Sequence, residues 1–324
     1  MSLFRLVLLL PLCAACGEAA RGERLRQAVY GGMPAPDDDA IVAVVNFAGG
    51  QCSGSLLTPT LVLTARHCVA STGTEESAVV CGRTRFDPPD SAGAVFVVAR
   101  PTITDDVHDY LAVADIRMPE GSGDDLCGTD VVLLRLAEPL SGIAPVEPRL
   151  DSPVISNEPY SAVGFGVDAS VEGEPSGERK RRDDLQVQCR GQDCEDPDVR
   201  DNEWVGSGGP CSGDSGGPAL DAQGLVVGVV SRGKGGCAEP VFGDVATRAA
   251  WLRSEAIAAA ELREAAPPRW APCGVEEGCR EPLPTEEGPA ESCSLSRLPD
   301  RSVSAPLAVL GVFARWWRRR RKLR

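Results

Sequence analysis

Histidine is scarce in this 324-residue chain, which has two, and their settings differ. His67 stands in Thr64-Ala65-Arg66-His67-Cys68, directly after the apolar run Leu61-Val62-Leu63. His108 lies in Asp105-Asp106-Val107-His108-Asp109, an acidic stretch that reads as a surface loop or, at most, a weak metal ligand. Ser215 sits in Gly213-Asp214-Ser215-Gly216-Gly217-Pro218, and Asp130 opens Asp130-Val131-Val132-Leu133-Leu134. A serine hydroxyl is a poor nucleophile until a base takes its proton during attack, and an imidazole titrating near neutrality suits that task. An aspartate accepting the Nδ1 proton fixes the tautomer and stabilises the imidazolium formed in the transition state. His67, Asp130 and Ser215 are thus the candidate base, orienting acid and nucleophile. The plainer alternatives are a turn aspartate and an unreactive serine in a Gly-rich turn. This chemistry calls for no metal and no cofactor.

The elements that must position these groups are short and β-like. Ile41-Val42-Ala43-Val44-Val45, Leu61-Val62-Leu63, Ala94-Val95-Phe96-Val97-Val98, Val131-Val132-Leu133-Leu134 and Leu225-Val226-Val227-Gly228-Val229-Val230 are rich in branched residues and separated by Gly, Pro, Asp and Ser. Such punctuation predicts an all-β barrel or sandwich. One stretch, Trp251 to about Arg263, has helical spacing and predicts a terminal helix. The net charge is −14, and the last ten residues hold seven bases and no acid, so the remainder carries −21. A body that acidic repels phosphate backbones and argues against nucleic-acid binding. The thirteen cysteines are scattered, apart from Cys13-Ala14-Ala15-Cys16, and predict a disulfide framework in an oxidising compartment.

Thr64–Cys68, Thr129–Leu134 and Gly213–Pro218 together resemble the TAAHC, DIALL and GDSGGP motifs of the chymotrypsin/trypsin-like serine proteases, in the same order. An α/β-hydrolase or a subtilisin would order its catalytic residues differently. The resemblance spans residues 29–264. It implies two six-stranded antiparallel Greek-key barrels with a C-terminal helix, polypeptide substrates and an oxyanion hole from the N–H groups of Gly213 and Ser215. It also implies the bridges Cys52–Cys68 and Cys211–Cys237. Cys189 and Cys194 are near enough for a local loop. Cys81 with Cys127 is what then remains, a pair that the family pattern does not imply. Cys273 and Cys279 are expected to close a small loop further on.

Val29-Tyr30-Gly31-Gly32 resembles the family's mature start, so Val29 would carry a new amine paired with Asp214. Ala28 precedes it, and the nearest base is Arg26, so a trypsin-like activating cut is not implied. The resemblance places Gly209, Ser231 and Gly233 in the primary pocket, which would favour an apolar P1 side chain, and Asp244 on its opposite wall, which would favour Lys or Arg; both stay open. Arg232 replaces an aromatic residue of the substrate groove and would either favour acidic subsites or lie exposed. Phe165 stands where the family often has Trp. The run Arg179-Lys180-Arg181-Arg182 is expected in an exposed loop, as a processing site or a solvated charge run.

Residues 1–16 read as a signal peptide with a possible lipobox, in which Cys16 is lipidated; the alternative is ordinary cleavage nearby. Residues 17–28 would be a propeptide, 29–264 the protease domain and 265–292 a Pro/Glu-rich linker. Residues 293–324, with Cys293, a short apolar stretch and Arg318-Arg319-Arg320-Arg321-Lys322, resemble the C-terminal sorting tails of some Gram-negative secreted proteins, especially of myxobacterial type. The alternatives are a basic amphipathic tail lying on anionic lipid and a solvated charge run. The expectation is a monomeric, exported protein at the cell surface, in the outer membrane or outside the cell, held to a membrane by its N-terminal lipid or its tail. The rival expectation is a catalytically inactive binding module.

Overall fold

The computed structural model describes residue 29 and residues 31–47, 50–73, 79–166, 177–234 and 237–271. The expected signal peptide, propeptide, tail and most of the linker lie outside the described residues, as do Cys16, Cys273, Cys279 and Cys293.

Among the described residues, thirteen strands and one α-helix follow in chain order. The strands are β1 (Met33–Pro34), β2 (Ile41–Asn46), β3 (Gly50–Thr58), β4 (Leu61–Thr64), β5 (Val95–Val98), β6 (Tyr110–Arg117), β7 (Val132–Leu136), β8 (Pro159–Gly164), β9 (Lys180–Arg190), β10 (Glu203–Gly206), β11 (Pro218–Leu220), β12 (Val226–Lys234) and β13 (Ala238–Asp244). The helix α1 spans Ala249–Glu261.

The first barrel closes in the order β2-β3-β4-β7-β6-β5, with every pairing antiparallel. The second runs β9-β10-β13-β12-β11-β8, and the pairing of β8 with β9, Val163 opposite Arg181, closes it; β1 adds to the outer side of β9. Closure leaves no long unpaired edge in either barrel. In β2 every residue but Val45 is buried. Its two faces thus have apolar cover on both sides, which is why a continuous branched run rather than an alternating one marks this strand.

The second barrel is filled by three aromatic rings. Trp204 stacks on Phe242 with centroids 4.1 Å apart, and Tyr160 meets both edge-on at 5.2 and 5.4 Å. Each such contact contributes about 0.5–1.5 kcal/mol beyond area burial. The Tyr160 hydroxyl donates to the Gly208 carbonyl (3.0 Å), fixing the chain just before the cleft described below.

Helix α1 begins two residues before the predicted start and ends two before the predicted end. It buries Leu252, Ala256 and Ala259 against the core that includes the first barrel. The linker expected from residue 265 starts later than the composition implies: Trp270 and Ala271 are buried in that same core. A Pro-rich approach does not prevent a single tryptophan from docking.

The run Arg179–Arg182 is not an exposed loop. It leads into β9, and the Arg179 side chain has no solvent exposure. Its guanidinium donates to the carbonyls of Ala35 (2.8 Å), Pro36 (2.7 Å) and Ile41 (3.0 Å) and to Asp39 (2.9 Å). A fork with five donors can satisfy several acceptors at once, and these partners explain how a buried cation is tolerated here. Lys180 is buried as well. Arg181 and Arg182 are partly exposed, but they lie within β9, paired with β8, rather than in a loop.

Candidate active site

His67 stands on the short 3-10 turn Arg66–Cys68, and Asp130 lies two residues before β7. Thr64 at the end of β4 pairs with Val132 at the start of β7, so the two strand ends bring these side chains together. His67 Nδ1 lies 2.7 Å from Asp130 Oδ2, and the His67 backbone N–H donates to Oδ1 at 2.9 Å. The Ser231 hydroxyl also donates to Oδ2, at 2.6 Å. Asp130 is 2% exposed, while the His67 side chain remains 23% exposed and open to a reactant.

Burial acts to raise the Asp130 pKa, but the His67 charge, the hydrogen bond to that ring, the Ser231 hydroxyl and the His67 N–H together hold it below the ordinary value. For His67, burial acts downward; the charge of Asp130 and its hydrogen bond outweigh it and hold the imidazole above its ordinary value. The arrangement fixes Nδ1 as the protonated nitrogen and leaves Nε2 as the basic one.

Ser215 reaches this region from the second barrel. Its carbonyl accepts from Ser53 N–H (2.7 Å) and lies 3.8 Å from Cys68 Sγ, beside the Cys52–Cys68 disulfide that pins the His67 turn to β3. Gly216 has φ +78°, and a Cβ there would stand 2.0 Å from Thr64 Oγ1 and 2.7 Å from Ala65 N. A side chain at that position would push the serine loop off the segment leading into His67. Gly213 also has positive φ, and its carbonyl accepts from Ser53 Oγ at 2.9 Å. Among the described residues, neither the Gly213 nor the Ser215 N–H donates to a protein acceptor.

Asp214 is 1% exposed. Its Oδ1 accepts from Gly166 N–H and its Oδ2 from Cys211 N–H, both at 2.8 Å, and the Val29 N–H donates to the same carboxyl. Burial pushes its pKa up to about 7 despite these bonds. Val29 is fully buried beside it and has φ +44°, a left-handed conformation that is costly for a β-branched residue.

A cleft of about 1030 Å³ runs past Ser215, with Ser231 and Gly233 in its lining. Gly209 is not in the lining; it packs behind Pro210 against Leu185. Asp244 departs from the position expected of it. It is 1% exposed, its Oδ2 accepts from Arg190 Nε (2.7 Å) and its Oδ1 from Ala246 N–H (3.0 Å), and it does not line the cleft. A carboxylate already held by Arg190 and a turn is not offered to a ligand. Arg232 is not exposed either: its side chain is 10% accessible and pairs with Glu203, itself 2% accessible.

Among the described residues four disulfides form: Cys52–Cys68, Cys81–Cys127, Cys189–Cys194 and Cys211–Cys237. Cys52, His67 and Cys68 cluster closely enough to suggest metal ligation, but both thiols are in the disulfide and offer no thiolate. His108 sits on an exposed 3-10 turn, where its N–H donates to Asp106. Sequence reasoning missed two contributors. Ser231 lines the cleft as expected and in addition bonds Asp130. Ser53 bridges the Gly213 carbonyl and the Phe165 N–H (2.9 Å), and nothing in its local sequence signals that.

Comparison with known proteins agrees with this geometry. Residues 29–254 match the family described as Trypsin, a span that contains His67, Asp130 and Ser215. Kallikrein 1-related peptidase b24 of Mus musculus is 28% identical over 233 residues, covering 65% of this chain and 82% of that protein. Kallikrein-2 of Homo sapiens is 29% identical over 213 residues, covering 61% and 76%. The chain belongs to the chymotrypsin/trypsin-like serine protease family.

Proposed function

We propose that the protein is an exported serine endopeptidase that cleaves polypeptides through an acyl-enzyme. The observation that carries this reading is the His67–Asp130 pair, with Ser231 on the same carboxylate, beside a cleft that contains Ser215. His67 Nε2 takes the Ser215 proton as Oγ attacks the scissile carbonyl. The negative charge that develops on the carbonyl oxygen is met by the Gly213 and Ser215 N–H groups. One such donor contributes roughly 3–4 kcal/mol of transition-state stabilisation in comparable enzymes. The imidazolium then protonates the leaving amine, and water, deprotonated by the same ring, releases the acyl group.

Cleavage before Val29 would place an ammonium against Asp214 and remove the left-handed strain at that residue. With Asp244 held by Arg190 outside the cleft, the apolar P1 preference is the better supported of the two. The disulfides support an oxidising, extracellular location. Membrane attachment through Cys16 or the C-terminal tail stays part of the proposal, tested by mass spectrometry of the mature ends.

An active-site-directed fluorophosphonate should label the matured protein and not its Ser215→Ala variant. Absence of labelling after removal of the propeptide would favour the inactive binding module.

A further inference from the structure

The cleft beside Ser215 is charged in one sense. Arg232 is the one cation among its described lining residues, and both terminal nitrogens of its guanidinium are engaged. Nη1 lies 2.6 Å from Glu203 Oε1 and Nη2 2.8 Å from Oε2, while Nη2 also donates to the Asp198 carbonyl. The pair is a rigid strut: Glu203 also accepts from Gly128 N–H (2.7 Å) and Arg200 N–H (2.9 Å). A buried, forked ion pair of this kind has no net charge to offer an acidic ligand.

The opposite charge in the cleft is not cancelled. Asp193, Glu195 and Asp198 line it, and among the described residues their carboxylates accept no hydrogen bond; Asp198 alone of the three interacts electrostatically with Arg232. Asp196 and Glu239 line the same space. Asp193, Glu195, Asp196 and Asp198 sit on the segment after β9, which the Cys189–Cys194 disulfide and the bond from Arg232 to the Asp198 carbonyl hold in place, whereas Glu239 lies in β13. That segment is separate in the chain from Pro210–Ser212 and Ser231–Gly233, which flank Ser215 without a carboxylate facing the cleft.

We infer that this wall selects a cationic side chain of the polypeptide substrate, Lys or Arg, at a position other than the one seated beside Ser215. Asp193, Glu195 and Asp198 determine that specificity. The inference rests on the peptidase reading and adds the class of substrate to it: basic segments cut at an apolar residue. A low-dielectric cleft wall of one sign also concentrates such segments before they bind.

The test is a peptide library in which each position around the scissile bond is varied, read as kcat/KM for the matured enzyme and for the triple variant Asp193→Asn, Glu195→Gln, Asp198→Asn. These neutral isosteres remove charge from carboxylates that accept no hydrogen bond among the described residues, and Glu261→Gln at the exposed end of α1 serves as the charge control. A Lys-over-Glu preference of about tenfold is expected at a position away from the bond, weakening as salt rises from ~0.05 to ~0.5 M, and falling to near unity in the triple variant. The preference at the residue beside the bond should stay unchanged. Cleavage with no cationic preference, with one that survives in the triple variant, or with one confined to the residue beside the bond, overturns this inference alone. No cleavage of any peptide overturns the peptidase reading and this inference with it.

Discussion

Severing the chain before Val29 should change how its stability depends on pH, and the size of the change follows from Asp214. In the continuous chain this buried carboxyl has backbone N–H groups as hydrogen-bond partners, and burial raises its pKa from the ordinary 3.8 to about 7. The unfolded chain loses this proton near 3.8, the folded one near 7. Folding stability is therefore fully present below about pH 4, falls as pH rises towards 7, and is level above that. Three units at ~1.4 kcal/mol each set the loss at up to about 4 kcal/mol. After the cut an ammonium stands where the Val29 peptide N–H was, the carboxyl stays ionised when folded, and the loss disappears. It returns only as the amine deprotonates, above about pH 8. The assay is thermal unfolding between pH 4 and 9 on the Ser215→Ala background, which prevents self-digestion. The intact chain is compared with one cut at an inserted site whose protease leaves Val29 as the first residue. At roughly 2–4 °C per kcal/mol the two forms should diverge by about 10 °C near pH 7.5 and converge near pH 4. Parallel curves would refute the argument, because they would mean that the new amine never reaches Asp214.

Replacing Asp130 by Asn should lower kcat about 10⁴-fold with little change in KM, since the His67 tautomer is lost while the cleft stays intact; steady-state kinetics on one peptide decides it. The acid limb of the kcat/KM profile should lie above the ordinary imidazole 6.5, because Asp130 raises the His67 pKa and protonation removes the base; a limb well below 6.5 contradicts the pairing. Arg179→Met should cost about 3–5 kcal/mol in denaturant unfolding, because three carbonyls lose a charged donor at once, and a change under ~1 kcal/mol would show that water replaces it readily.

The strands that the sequence discloses are those with branched residues on both faces, such as β2, β4 and β7, where apolar cover from two sides writes a continuous run. β3 begins Gly-Gln-Cys-Ser-Gly-Ser and β9 begins Lys-Arg-Arg-Asp-Asp; neither has strand-like composition over that half, and both owe their conformation to partners far along the chain. In β9 only Leu185 and Val187 keep the two-residue period of a half-buried strand. The site divides the same way. His67, Asp130 and Ser215 are legible because each carries its own local motif. The Ser231 bond to Asp130, the Arg232–Glu203 strut and the capture of Asp244 by Arg190 join residues 29 to 101 positions apart, and no local pattern encodes such pairings. Residue type alone misleads at Arg179, where four positive residues in a row look solvated and the first is wholly enclosed.

That enclosed arginine has a consequence for the severed end. It grips the backbone at Ala35, Pro36 and Ile41, and β1 pairs Met33 with Arg181, so everything from residue 33 onward is anchored whether or not the peptide bond before Val29 is intact. The liberated end is a leash of four residues, at most about 14 Å long. On so short a leash the amine meets Asp214 at an effective concentration of millimolar or more, a level that a free dipeptide of the same sequence would have to match to take its place.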